Sequence, residues 1–220
     1  MNKNYSFLKL GSILFFSLIL VLTFSQVVAA NVQIRAGRLD YQADWIDLED
    51  GVTIFWEEYE IVSDRGEIDR PESITYLYDN VEVTFERGFI NSDNLVIYMN
   101  DDELVFTDNV FLNYRRGQAE NDEDEGEGEE RLELSSERLV YNTEAGTFDF
   151  EDNIEIRQAG RTIRAGEGTY NEAEDIFYFR SGVEIVEDDG DRITSETARL
   201  DLSEGDLFTA EGNVEIELQM

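Results

Sequence analysis

The sequence predicts an all-β protein, an elongated jelly roll or solenoid-like sandwich of about twelve bent antiparallel strands in two facing sheets. Three observations predict it. Apolar and polar residues alternate at period two, each alternating run carries a small or turn-prone residue near its middle, and the pattern recurs along nearly all of the chain after residue 30. The stretch from Thr147 to Tyr170, TFDFEDNIEIRQAGRTIRAGEGTY, shows all three. Alternation sends Phe148, Phe150, Ile154 and Ile156 to one face and the intervening acids to the other, the mark of a half-buried strand. The interruptions at Asp152-Asn153 and Ala165-Gly166 let a strand bend and pass from one sheet to another.

Two markers repeat in register. A turn-prone residue before a β-branched one occurs at Gly51-Val52, Asn80-Val81, Asn109-Val110, Asn153-Ile154, Gly182-Val183 and Asn213-Val214, with spacings of 29, 29, 44, 29 and 31. An apolar residue two before a small one occurs at Ile34-x-Ala36, Ile61-x-Ser63, Ile90-x-Ser92, Leu134-x-Ser136, Ile163-x-Ala165 and Ile193-x-Ser195, with spacings of 27, 29, 44, 29 and 30. Both series keep one period and share one long step, so the repeat is internal and genuine. The long step coincides with an acidic insertion at 117–130, which includes QAENDEDEGEGEE.

Taken in order, residues 1–30 read as an export signal. Lys3 and Lys9 precede an apolar run from Leu10 to Leu22, and Val28-Ala29-Ala30 offers a small-residue cleavage site. An uncleaved membrane anchor is the alternative reading of the same segment. Residues 31–220 then divide into twelve runs: Val32 to Tyr41, Ile46 to Glu57, Ile61 to Arg70, Ser73 to Glu86, Phe89 to Met99, Leu104 to Arg115, Arg131 to Asn142, Thr147 to Arg157, Arg161 to Asn171, Ile176 to Glu187, Arg192 to Leu202 and Leu207 to Leu218. Pro71, the single proline, falls in a link, where no ladder hydrogen bond is lost. No run keeps a helical period.

Composition narrows the chemistry. Cysteine and histidine are both absent, which excludes disulfides, thiolate sites and histidine-based nucleophilic systems. With 51 acids against 17 basic residues the formal net charge is −34, and both lysines lie in the leader. Such a body repels nucleic acid, and it suits a salt-rich source, where screening shortens to about 3 Å at molar salt. A phosphate loop needs a lysine that the body lacks. The acidic insertion does not follow the EF-hand spacing and reads as a solvated run of like charge, so no metal site and no cofactor are assigned. Among so many acids close carboxylate pairs arise by chance, and no catalytic residue is assigned.

At the turn-pair-plus-valine units and their partners of the type IRAGEGTYN and LELSSERLVYN, the sequence resembles the OstA-like family, the periplasmic lipopolysaccharide-transport proteins of the LptA and LptC type. The resemblance covers Val32 to Leu218. It implies an open β-jelly roll, or β-taco, in the periplasm, without enzymatic activity. It further implies a hydrophobic groove for the acyl chains of lipopolysaccharide or a similar glycolipid. Partners would be other jelly-roll transport proteins, or further copies of this one, joined end to end. The inward stripe, which periodicity alone makes a core, becomes under the resemblance a groove lined by Ile54, Trp56, Val83, Phe85, Leu112, Tyr114, Ile156, Ile185 and Ile216. The edge strands carrying Ile34, Leu39 and Tyr41 at one end, and Val214 and Leu218 at the other, would pair with neighbours by strand addition. The competing reading is a secreted acidic structural or adhesive β-repeat protein with a closed core.

Overall fold

A computed structural model describes residues 32–116, 130–158, 160–203 and 207–219. The leader and residues 117–129 of the acidic insertion at 117–130 lie outside the described residues, and Glu130 begins a strand. Sixteen strands follow in chain order: β1 (Gln33–Tyr41), β2 (Trp45–Trp56), β3 (Tyr59–Ser63), β4 (Arg65–Asp69), β5 (Ile74–Phe85), β6 (Gly88–Tyr98), β7 (Glu103–Arg116), β8 (Glu130–Asn142), β9 (Thr147–Gln158), β10 (Arg161–Asn171), β11 (Ile176–Arg180), β12 (Val183–Glu187), β13 (Arg192–Ser195), β14 (Thr197–Asp201), β15 (Leu207–Glu211) and β16 (Glu215–Glu217). The twelve runs read from the sequence are all present. Four of them are interrupted at the bend, so that β3 with β4, β11 with β12, β13 with β14 and β15 with β16 each form one bent strand.

Hydrogen bonding joins these strands into a single 16-stranded sheet. The expected two facing sheets are thus one sheet creased along its length and folded on itself. Each bent strand lies partly in each wall. The C-terminal half of β2 pairs β3 while its N-terminal half pairs β4. Strand β10 likewise pairs β12 through Arg161 to Arg164 and β11 through Glu167 to Asn171. We call the two halves the β3 wall and the β4 wall.

The crease has a chemical cause. At six positions two successive residues take left-handed backbone angles: Asp50 and Gly51 (φ 63° and 86°), Asp79 and Asn80 (63° and 51°), Asp108 and Asn109 (65° and 54°), Asp152 and Asn153 (59° and 54°), Ser181 and Gly182 (67° and 81°), and Gly212 and Asn213 (76° and 44°). Left-handed backbone crowds Cβ in most residues. Glycine lacks that atom, and Asn and Asp offset the crowding with local hydrogen bonds. The ladders jump register there, as between Tyr78 and Val81 or Thr107 and Val110.

On the intervening strands the small residue occupies the crease. Ser63, Ser92, Ser136 and Ser195 are buried, and each donates its hydroxyl to the carbonyl two residues on, at 3.1, 2.8, 3.1 and 2.9 Å. A serine is therefore small enough for the inside of the bend and supplies a donor to a carbonyl turned out of the ladder. On the outer side Asn80 donates to Asp64 (2.8 Å) and Asn109 to Asp93 (2.7 Å). One repeat of about 29 residues is a left-handed-pair strand plus a small-residue strand.

The core is one cluster lying between the walls. In the β4 wall, Gly168 stands between Phe150 and Phe179 in the ladder. A Cβ there would sit 3.4 Å from Ile154 Cδ1 and 3.3 Å from the Phe179 ring, so the missing side chain makes room for a residue of the other wall.

Candidate functional site: the interior between the two walls

Inward side chains of the β3 wall fall into three tiers, because strand register sets like positions side by side. The crease tier runs Val52, Ser63, Val81, Ser92 and Val110, Ser136. The middle tier continues Ile54, Ile61, Val83, Ile90, Leu112, Leu134, Ile156, Ile163, Ile185, Ile193 and Ile216 without interruption across eleven strands. The third tier lies at the mouth opposite the crease, and its aromatic members are Trp56, Tyr59, Phe85 and Tyr114. Facing them, the β4 wall presents Tyr141, Phe148, Tyr170 and Phe177 in ladder register. The interior is thus aliphatic near the crease and aromatic towards the mouth.

The sequence-predicted groove residues occupy this space. Ile54, Val83, Leu112, Ile156 and Ile185 belong to the middle tier and Trp56 and Tyr114 to the mouth tier, and all seven are only 0–4% exposed. Phe85 is half-buried. The groove is closed: two apolar faces hinged along one side bury most surface by meeting each other, so these side chains touch protein on all sides. Ile216 differs. It extends the middle tier on β16 but is 60% exposed, because among the described residues β16 pairs β13 alone. The edge residues lie where the order of strands places them: Leu39 (53% exposed) and Tyr41 (62%) on β1, and Val214 (45%) and Leu218 (63%) flanking β16, with Ile34 half-buried opposite Ile54.

At the mouth, hydrogen bonds cross from wall to wall. The Tyr59 and Tyr141 hydroxyls lie 3.2 Å apart, with ring centroids at 6.3 Å and an edge-on tilt of 74°. Tyr141 donates to Glu172 Oε2 (3.4 Å), Tyr114 donates to Glu172 Oε1 (3.3 Å), and Arg87 Nη1 donates to the Tyr114 hydroxyl (2.9 Å). Tyr114 also meets the Tyr170 ring at 5.8 Å, and Tyr170 donates to Asp175 (2.9 Å). Tyr59 and Tyr114 come from the β3 wall, and Tyr141, Tyr170 and Glu172 from the β4 wall.

Burial governs the ionisation of these phenols. It raises all four above the ordinary tyrosine value, opposed at Tyr59 by the hydrogen bond to Tyr141 and at Tyr114 by that from Arg87. At Tyr141 the hydrogen bond to Tyr59 and the nearby Glu172 push in the same direction as burial, and at Tyr170 so do Tyr114 and Asp175. The Arg87 guanidinium is raised in turn by its bond to Tyr114.

A cleft of about 430 Å³ opens at this point, lined among others by Tyr59, Phe85, Arg87, Tyr141, Gly146 and Glu172. Alternation of apolar residues identifies Tyr114 and Tyr141 as inward. It gives no means of seeing that Tyr59 meets Tyr141, 82 residues away, or that Arg87 and Glu172 close the same network. Extending the period-two pattern back from Ile61 would have turned Tyr59 inward. No group of three or more carboxylates with a metal-holding arrangement occurs among the described residues.

The chain matches the model of a family described as LptA/(LptD N-terminal domain) LPS transport protein over residues 60–176, from β3 to the start of β11. Among solved structures it is similar to LptH from Pseudomonas aeruginosa, described as the LptA-homologous periplasmic component of the conserved lipopolysaccharide transport device. The two share 7% identity at a TM-score of 0.45, covering 87% of this chain and 96% of that one. No curated protein matches the chain. With more than half of its length matched, including most of the strands that form the creased interior, the chain belongs to the LptA/(LptD N-terminal domain) lipopolysaccharide-transport protein family.

Proposed function

We propose that the protein is a periplasmic carrier that holds the acyl chains of lipopolysaccharide, or of a related glycolipid, between its two walls and hands them to a similar module joined at its end. The observation that carries the reading is the uninterrupted aliphatic tier from Ile54 to Ile216 in a member of this family. Transfer is passive. A fatty tail moving from water into such a space gains roughly 0.8 kcal/mol per methylene, while the wall side chains exchange one apolar contact for another. Loading therefore requires the walls to part about the crease, and the left-handed pairs there act as the hinge. Polar head groups stay outside the mouth, where the surrounding acids favour heads bridged by cations or low in negative charge.

The exposed end strands fit the bridging part of the reading. β1 and β15 end the main hydrogen-bonded path, and among the described residues each has one unpaired edge suited to strand addition. The test is mass spectrometry of lipid retained by the protein purified from its native envelope, with a photo-crosslinker at Ile156. Acylated glycolipid attached at that position supports the carrier. A protein that retains no lipid and binds no hydrophobic probe refutes it and leaves a packed scaffold.

A further inference from the structure

We infer that acyl chains enter the interior sideways through the mouth, at the clasp formed by Tyr59, Tyr141, Glu172, Tyr114 and Arg87, and not from the ends alone. The inference rests on the carrier reading and adds to it a place of admission.

Three observations converge on the clasp. First, the cleft of about 430 Å³ opens there, and three of its lining residues, Tyr59, Phe85 and Tyr141, touch the rings of Trp56, Tyr114 and Phe148, so a tail that passes the acidic lips meets aromatic rings leading inward. Second, the bonds that close the clasp across the mouth are Tyr59 to Tyr141 and Tyr114 to Glu172, at 3.2 and 3.3 Å, and rings meet edge-on without interlocking. Such side-chain contacts part as the walls swing open about the crease, whereas the ladder bonds within each wall stay made. Third, both lips are acidic. Glu58 and Glu86 line the cleft from the β3 wall, Glu144 and Glu172 from the β4 wall, and Arg87 is the one cation among its lining residues. Like charge on facing lips pushes them apart, so the clasp works against a repulsion that salt can screen.

That balance gives the inference an unusual sign. Capture by apolar attraction alone is unchanged or strengthened by salt. Admission through repelling lips slows as salt rises, since the screening length falls from about 30 Å at 0.01 M to about 3 Å at 1 M.

The experiment follows the rate at which the full chain takes up a pyrene-labelled monoacylglycerol, whose uncharged head removes direct attraction or repulsion of the probe. Tyr59→Phe combined with Tyr141→Phe keeps both rings and removes the cross-mouth hydrogen bond. Loading is expected to quicken about tenfold, with unchanged saturation, the equivalent of about 1.4 kcal/mol. Glu144→Arg, an exposed change that does not depend on the core refolding, brings opposite charge to the lips and should slow loading and flatten its salt dependence. Faster loading of the double variant together with a rate that falls with salt supports the inference. Wild-type binding with rates indifferent to both variants and to salt overturns it and leaves the carrier reading standing, with tails admitted at the ends. Failure of the wild type to take up the probe at any salt concentration removes both.

Discussion

Raising the pH above about 10 tests whether the mouth tyrosines are sealed in the folded chain. The unfolded chain ionises its phenols near pH 10, whereas burial and neighbouring acids hold Tyr141 and Tyr170 neutral far above that value. Their contribution to stability is therefore complete below about pH 10 and is lost as pH climbs from there towards the folded-state value. Each such group withdraws about 1.4 kcal/mol per pH unit over that interval. By pH 12 the two together withdraw at most about 5 kcal/mol, and less to the extent that solvent screens their hydroxyls, while Tyr59 and Tyr114, raised for the same first reason, act in the same direction. Against a domain stability of about 5–15 kcal/mol, this predicts a cooperative alkaline unfolding near pH 11 to 12. Phenolate absorbance followed alongside far-ultraviolet circular dichroism checks it. A block of tyrosines should ionise only as the β signal collapses, and Tyr141→Phe should move the midpoint upwards. Smooth ionisation of every tyrosine near pH 10 with an intact β signal would refute the placement of these rings behind a closed mouth.

Other consequences follow from the crease and the tiers. Asn109→Val forces a β-branched side chain into a left-handed position and removes the bond to Asp93, and should cost about 2 kcal/mol or more in urea unfolding, whereas Asn109→Gly should be near neutral. Ser136→Ala deletes the donor to the Arg138 carbonyl and should cost about 1 kcal/mol by the same measurement. Ile156→Ala empties a site in the middle tier that is wholly shielded from water and should cost roughly 2–5 kcal/mol. Ile216→Glu, on the exposed last strand, should leave the thermal midpoint nearly unchanged while weakening any end-to-end association seen by analytical ultracentrifugation.

Much of the fold is legible in the sequence because a left-handed bend admits few residue types. Asn80, Asn109, Asn153 and Gly182 announce the crease by chemistry, and Ser63, Ser92 and Ser136 by size and by their hydroxyl donors. Alternation then assigns Ile54, Val83, Leu112 and Ile156 to the inside. Period two states which face a residue takes but not what stands opposite. The closure of the groove, the meeting of Tyr59 with Tyr141 and the exposure of Ile216 at the end of the sheet each depend on how the walls lie over one another. That relation pairs positions far apart in the chain and leaves no local signature. The breaks at Asp64, Ser181–Gly182, Glu196 and Gly212–Asn213 divide four bent runs in two. Asn80 and Asn109 carry the same backbone angles without such a break, so composition at the bend alone does not mark them.

The strand-by-strand order of the ladder in both walls means that overall dimension is a matter of counting. In the hydrogen-bonded ladder each pair of bent strands joins only the pairs on either side, whereas side chains that meet across the mouth, as Tyr59 and Tyr141 do, come from strands four places apart. Excising one whole unit of about 29 residues would shorten the body by two rungs, close to 10 Å, and rejoin the ladder in register, with new side chains meeting across the mouth. A ribbon of this kind can be lengthened or trimmed by duplication or loss of whole units, as a ladder is, so span across a compartment can change without redesign of any individual rung.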